Sequence, residues 1–187
     1  MQKTIKEITK KQKNTMKIKV RLIDENCKIE NIDKGDWFDL KVRCNVDLCQ
    51  PQAGIQYQQE GNKYRDVGFT YCVLPLGFAM KLPSGFEAIL APRSSSFKKY
   101  LVLQTNSIGV IDNSYSGNSD EWGWPVVALG KVEIPQYTRV CQFRIQPSQK
   151  ATVWQKIKWL FTKKIEFEYV DNLDSEDRGG FGSTGTN

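Results

Sequence analysis

The chain contains no histidine. That absence removes Ser–His and Cys–His nucleophilic pairs, and every histidine-ligated metal site, from the chemistry open to it. No apolar run approaches the roughly 20 residues needed to cross a bilayer, so no membrane partner is expected. The lysine-rich start has no apolar core behind it, unlike a secretory signal. The five cysteines (Cys27, Cys44, Cys49, Cys72 and Cys141) include no CxxC pair, and an odd number cannot all pair within one chain. Reduced thiols in a cytoplasmic protein are the simple reading. Excess charge is also missing from most of the chain. Basic residues number 27 and acidic residues 21, but residues 1–20 hold seven lysines against Glu7 alone, so the remainder is balanced at twenty of each sign. The net charge of +6 is thus an N-terminal feature, read as a solvated tail rather than a nucleic-acid face. A nucleic-acid role would show salt-dependent binding that disappears when residues 1–15 are removed.

What is present fits one domain: 187 residues, 40% of them apolar, enough to bury a core. Residues 1–15 form a basic extension without sustained periodicity. From Met16 the pattern alternates strictly, with Met16, Ile18, Val20 and Leu22 apolar and Lys17, Lys19 and Arg21 between them, which predicts a half-buried strand. A second alternation, Phe38, Leu40, Val42, Cys44 and Val46, predicts another. Gln50 to Asp66 reads as a surface loop. Short apolar segments then recur between Pro75, Pro83-Ser84-Gly85, Pro92, Asn113 to Asn118 and Pro135, the punctuation of an all-β sandwich or barrel. Lys150–Lys164 departs from this: Val153, Trp154, Ile157, Leu160 and Phe161 share a stripe at helical spacing, with Trp159 off it. It reads either as a helix packed on the barrel or as one facing a membrane surface or a partner. Ile165, Phe167 and Tyr169 then alternate with Glu166 and Glu168 in a last strand.

Four polar clusters sit at the strand ends. Pro92-Arg93-Ser94-Ser95-Ser96 offers a guanidinium, hydroxyls and backbone amides, either for phosphate oxygens or for a helix N-cap. Asn106–Gly117 places Asp112 at the mouth of a hairpin between Gly109 and Gly117, with Val110 and Ile111 expected to be buried. With no histidine available, a carboxylate there is the natural general base for attack by water, although an aspartate that only makes a turn has the same appearance. Arg139-Val140-Cys141-Gln142 belongs to a strand whose Cys141, Phe143 and Ile145 share one face, so Gln142 points the other way. Arg178-Gly179-Gly180-Phe181-Gly182-Ser183-Thr184-Gly185 combines glycine amides able to form an anion-binding nest, an aromatic ring able to stack on a base, and two hydroxyls. A plain linker is the other reading.

In order, these clusters resemble the five motifs of the trimeric dUTP diphosphatase family over about residues 16–185. The motifs look like Trp37-Phe38-Asp39-Leu40, Pro92-Arg93-Ser94-Ser95, Gly109 to Gly117, Arg139 to Gln142, and Gly179 to Gly185. The resemblance implies an all-β, distorted jelly-roll β-barrel with one short helix inserted near the C-terminus, assembled as a homotrimer with active sites at subunit interfaces. It implies hydrolysis of dUTP to dUMP and pyrophosphate. Asp112 would be the catalytic base, Tyr115 the platform under the deoxyribose, and Asn106 with the hairpin backbone at Gly109, Val110 and Ile111 the reader of uracil. Arg93, Ser94, Ser95 and Gln142 would hold phosphates, and Arg178 would bind substrate. Phe181 would cover the base, with Gly182, Ser183 and Thr184 closing over the phosphates, and Asp39 would be structural. Mg²⁺ would ride on the triphosphate rather than in a protein cage. The implied organisation is residues 1–15 as extension, 16–174 as barrel with 150–164 as an inserted amphipathic helix, and 175–187 as a flexible arm closing over the site. Two other readings use the same pocket: a nucleotide-sensing regulatory protein, and a relative of the dCTP deaminases, which ammonia release would distinguish.

Overall fold

A computed structural model describes residues 15–30, 35–48, 53–59 and 63–180. The strands expected at both ends of the domain meet in one sheet. Strand β1 (Thr15–Leu22) buries Met16, Ile18 and Val20 and exposes Lys17 and Lys19, as its alternation predicts. The last strand, β13 (Lys164–Tyr169), lies parallel to it from Thr15↔Lys164 to Val20↔Tyr169. On the other edge of β1, β6 (Phe78–Lys81) runs antiparallel.

A second sheet carries most of the expected site residues. Its order is β2 (Phe38–Lys41), β12 (Arg139–Pro147), β7 (Phe86–Pro92) and β9 (Gly109–Asp112). Between these sheets Phe143 is fully buried, with ring centroids 5.2 Å from Phe38, 5.2 Å from Trp122 and 6.2 Å from Phe167. Trp122 in turn lies 5.0 Å from Phe78. Aromatic rings at these separations pack edge-on or tilted, which suits their quadrupoles as well as burying large apolar area. The single alternation expected from Phe38 to Val46 is interrupted. The chain leaves β2 after Lys41, where the pairing with β12 shifts register between Arg139 and Cys141, and resumes only in β3 (Val46–Asp47), which pairs with β11 (Glu133–Ile134). Arg43 turns aside to pair with Glu121, its Nε donating at 2.9 Å and Nη2 at 3.1 Å.

The loop expected over Gln50–Asp66 is corrected. Strands β4 (Ala53–Gln59) and β5 (Lys63–Pro75) form an antiparallel pair in continuous register from Ala53↔Phe69 to Gln59↔Lys63. Backbone ladders need no apolar side chains, so a glutamine-rich segment can join one without leaving a hydrophobic pattern. Strand β5 continues to β10 (Gly123–Ala128), which pairs with β8 (Val102–Gln104). The short helix α1 (Ser96–Tyr100) precedes β8.

The inserted segment does form a helix, α2 (Val153–Leu160), with its apolar stripe turned away from the barrel. Trp154 and Leu160 are each 79% exposed. Off-stripe Trp159 does the packing, 5.7 Å from Phe86. One turn earlier, Gln155 Nε2 donates to the Ser84 carbonyl at 2.7 Å, and Gln155 Oε1 accepts the Thr152 N–H at 2.7 Å to close a capping box. No described helix is long and apolar enough to cross a membrane.

Candidate active site

The two ends of β7 gather two different sets of side chains. Edge strand β9 pairs with β7 from Leu90↔Gly109 to Glu87↔Asp112. Gly109 is required by close approach, since a Cβ there would lie 2.9 Å from Leu90 Cβ. Val110, expected to be buried, is 58% exposed. Among the described residues strand β9 pairs with β7 alone, and none of them covers the face on which Val110 stands. Ile111 packs partly against the core, as expected.

At the end of β9, Asp112 has both carboxylate oxygens engaged. Oδ1 accepts the Ser114 N–H at 2.8 Å and the Ser114 hydroxyl, an Asx turn at the hairpin mouth. Oδ2 accepts from Arg178 Nη1 at 2.6 Å. Partial burial works to raise the pKa of Asp112, but the Ser114 hydroxyl and N–H together with the Arg178 guanidinium outweigh it and hold the carboxyl below its ordinary value. Tyr115 packs its ring against the core and donates its hydroxyl to the Glu121 carbonyl at 2.8 Å, giving a fixed aromatic plate beside Asp112. Asn106 and Ser107 lie exposed in the turn entering β9.

Sequence reasoning missed the residues that hold the root of the C-terminal segment here. Asp120 is buried and accepts backbone N–H groups from Gly117, Arg178 and Gly179. The Ser119 N–H donates to Asp177 Oδ1 at 2.8 Å, and the Ser116 and Ser175 hydroxyls lie 2.8 Å apart. The one available signal was the polar run Asn118-Ser119-Asp120 directly after Gly117.

The opposite end of β7 carries Arg93. Asp39, with a side chain 2% exposed, lies 2.9 Å from Arg93 Nη2 and 3.5 Å from Arg139 Nη1. Arg93 Nη1 also donates to the Arg139 carbonyl at 3.2 Å. Asp39 thus links β2 to Arg93 at the end of β7 and Arg139 at the start of β12. Ser95 stands at the N-cap of α1 but makes no side-chain cap bond, whereas Ser96 donates to the Val140 carbonyl at 2.5 Å. Ser94 is exposed. Gln142, facing away from Cys141 and Phe143 as expected, donates to the Pro92 carbonyl at 3.2 Å.

Within one chain these two sets do not meet. Asp112 is level with Glu87 and Arg93 lies six residues further along, about 20 Å at the rise of a strand. Arg178, expected to bind substrate, does reach Asp112. Phe181, Gly182, Ser183 and Thr184 lie outside the described residues. Among the described residues no three histidine, cysteine, aspartate or glutamate side chains converge on a point that could hold a metal.

A family model described as dUTPase matches residues 67–185. The SPbeta prophage-derived deoxyuridine 5'-triphosphate nucleotidohydrolase of Bacillus subtilis is 37% identical over 172 residues, spanning 91% of this chain and 99% of the relative. The chain belongs to the dUTPase family. Among solved structures, the dUTPase of Streptococcus mutans superposes with a TM-score of 0.56 at 21% identity, covering 71% of this chain and 98% of that one. A mutant dUTPase from phage phi11 of S. aureus, described with a structural Mg(II) ion, gives a TM-score of 0.53 at 17% identity over 73% of this chain and 94% of its own. These likenesses show the fold, the jelly-roll barrel of the dUTPases. This dUTPase is a hydrolase of nucleotide metabolism whose substrate is dUTP, cleaved to dUMP and pyrophosphate.

Proposed function

We propose that each active site of this dUTPase is assembled between subunits of a homotrimer, with Asp112 and Tyr115 of one copy facing Arg93, Ser94, Ser95 and Gln142 of another. The observation that carries this reading is the separation of about 20 Å between Asp112 and Arg93 along β7. A nucleoside triphosphate needs its base, sugar and phosphates held around one reacting phosphorus, and one chain offers the two halves at opposite strand ends. The uncovered faces of Val110 and Ile108 on the hairpin, both 58% exposed, support burial against another copy.

In this reading the backbone at Gly109, Val110 and Ile111, with Asn106, contacts uracil, and Tyr115 lies under the deoxyribose where a 2′-hydroxyl would collide. Arg93, Ser94, Ser95 and Gln142 hold phosphate oxygens. Arriving triphosphate draws Arg178 off Asp112, and the freed Oδ2 accepts a proton from water. That water oxygen bonds to the α-phosphorus as the bond to the bridging oxygen breaks, and pyrophosphate leaves. Phe181 covers the base, while Gly182, Ser183 and Thr184 close over the phosphates and exclude bulk water. Mg²⁺ bound to the triphosphate would neutralise charge on its oxygens, which suits an ion that prefers phosphate oxygens to a dedicated protein cage. Residues 1–15 form a basic extension, 16–174 the barrel with its 150–164 insertion, and 175–187 the closing arm. The free thiols of Cys27, Cys44, Cys72 and Cys141 support a cytoplasmic setting.

Subunit complementation tests the assignment. Asp112→Asn and Arg93→Ala homo-oligomers should each turn over dUTP poorly. Co-expressed copies should regain a substantial part of wild-type turnover, because some interfaces then combine an intact Asp112 with an intact Arg93. Mixed oligomers as inactive as their parents would place both residues in a site within one chain and overturn the reading.

A further inference from the structure

We propose that Asp120 is a positioning residue for catalysis, a buried carboxylate that clamps the root of the C-terminal arm at Arg178 and Gly179 so that the Arg178 side chain is aimed at Asp112 and the substrate. The proposal rests on the reading above that this arm takes part in turnover.

Asp120 is 1% exposed. A carboxylate out of water must be fully hydrogen-bonded or it destabilises the fold. Among the described residues, its hydrogen-bond donors are neutral backbone N–H groups. Gly117 N donates to Oδ2 at 2.8 Å, Arg178 N to Oδ2 at 2.9 Å, and Gly179 N to Oδ1 at 3.0 Å. Two of these three donors belong to the arm, so the carboxylate is satisfied only while the arm root is seated. The arrangement inverts the usual anion nest: successive backbone amides converge on a fixed anion of the protein rather than on a ligand. Gly179 adopts φ +81, in the left-handed region where a side chain would be strained.

Neighbouring contacts confine the effect to the arm. Glu121, adjacent in sequence, faces the barrel and accepts from Arg43 and from the Gly77 N–H at 2.8 Å. The two carboxylates divide the loop, one holding the barrel and the other the arm. Gly117 lets the arm pass, since a Cβ there would overlap the Asp177 side chain and backbone. Because Asp120 grips Arg178 by its backbone, the Arg178 side chain remains free to exchange Asp112 for a phosphate without the arm lifting off. The clamp works in the same way whether the arm comes from the same copy or from a neighbouring one.

Asp120→Asn keeps the shape and replaces one acceptor oxygen by an amide that repels the converging N–H groups. The expected result is a fall in kcat/KM for dUTP of about tenfold or more, the scale of losing charge-assisted hydrogen bonds. The acid limb of kcat/KM should also move to higher pH, because a misdirected Arg178 no longer favours the Asp112 carboxylate. A purely structural role would leave that limb in place. An arm variant, Arg178→Ala, completes a double-mutant cycle. If the clamp acts through the arm, adding Asp120→Asn to the arm variant costs little more. Multiplying losses, or unchanged kcat/KM in Asp120→Asn alone, would overturn the clamp. Wild-type turnover in the arm variant would instead overturn the reading that the arm participates. Should Asp120→Asn fail to fold, Gly117→Ala leaves the carboxylate intact and displaces Asp177. It should show the same loss and the same shift of the acid limb, and wild-type kinetics in Gly117→Ala would refute the proposal.

Discussion

Asp39 in β2 and Asp112 in β9 are each paired with an arginine, beside opposite ends of β7, and the two pairs are built for different work. Asp39 has a side chain 2% exposed and lies between Arg93 and Arg139, with strands β2, β7 and β12 converging on it. Asp112 has a side chain 47% exposed and meets Arg178 on a segment that leaves the barrel. An ion pair whose acid is shut away from water is hard to open, because the carboxylate left behind would be stranded in low dielectric. An exposed pair exchanges readily with water, salt or a competing anion, and its net stabilisation is small. In the proposed site, the first pair would fix the phosphate-binding arginine before substrate arrives, and the second would hold the base and an arginine together until substrate separates them.

The sharpest way to break this comparison is to neutralise each acid in turn. Asp112→Asn should lower kcat for dUTP by about 10²- to 10⁴-fold, the usual contribution of a general base, while dTTP, dCTP and UTP remain poor substrates for both proteins. Pyrophosphate release measures it, and turnover that survives would mean that another group takes the proton. Stability should move little, by about 0.5 kcal/mol or less, because the pair is exposed. Asp39→Ala should reverse the pattern, lowering unfolding free energy by about 3 kcal/mol as two arginines lose a buried partner. Denaturant unfolding reads this directly. Equal destabilisation by the two substitutions would erase the distinction drawn from burial.

Much of this was legible in the sequence. Strand β1 follows from Met16, Ile18 and Val20, and the absence of histidine points to a carboxylate as the general base. The ordered motifs led to Asp112, Tyr115 and Arg178, and the structure places all three around one hairpin. Other features lay beyond local pattern. The helix α2 was visible as a stripe, but the side it packs is chosen by Gln155 reaching Ser84 and Trp159 reaching Phe86, contacts made about 70 residues away in sequence. Val110 reads as core because it is an apolar residue in a strand, yet it stands exposed on an edge strand that no other described residue covers. Asp120 looked like one more polar residue in a turn. Its burial depends on the arm returning some 58 residues later to supply two N–H groups.

The smallest expected effect probes the exposed pair alone. The Ser114 hydroxyl and N–H and the Arg178 guanidinium favour ionised Asp112 against the opposing effect of partial burial, so its pKa lies below the ordinary carboxylate value. A base with a lowered pKa is already deprotonated as pH rises through the acid range, so the acid limb of kcat/KM, which reports the free enzyme, should lie at unusually low pH. Arg178→Gln removes one of the favouring groups and leaves Ser114 in place, so the limb should move upward but only part of the way. The linked stability has the same sign: the pair stabilises the fold above the unfolded-state pKa of the carboxyl and loses that contribution as pH falls through the lower folded-state value. Added salt should imitate the substitution in the wild type, because the Arg178 contact is open to screening. A limb that ignores both salt and Arg178→Gln would show that Ser114 alone sets the charge of Asp112, leaving Arg178 no part in tuning the base.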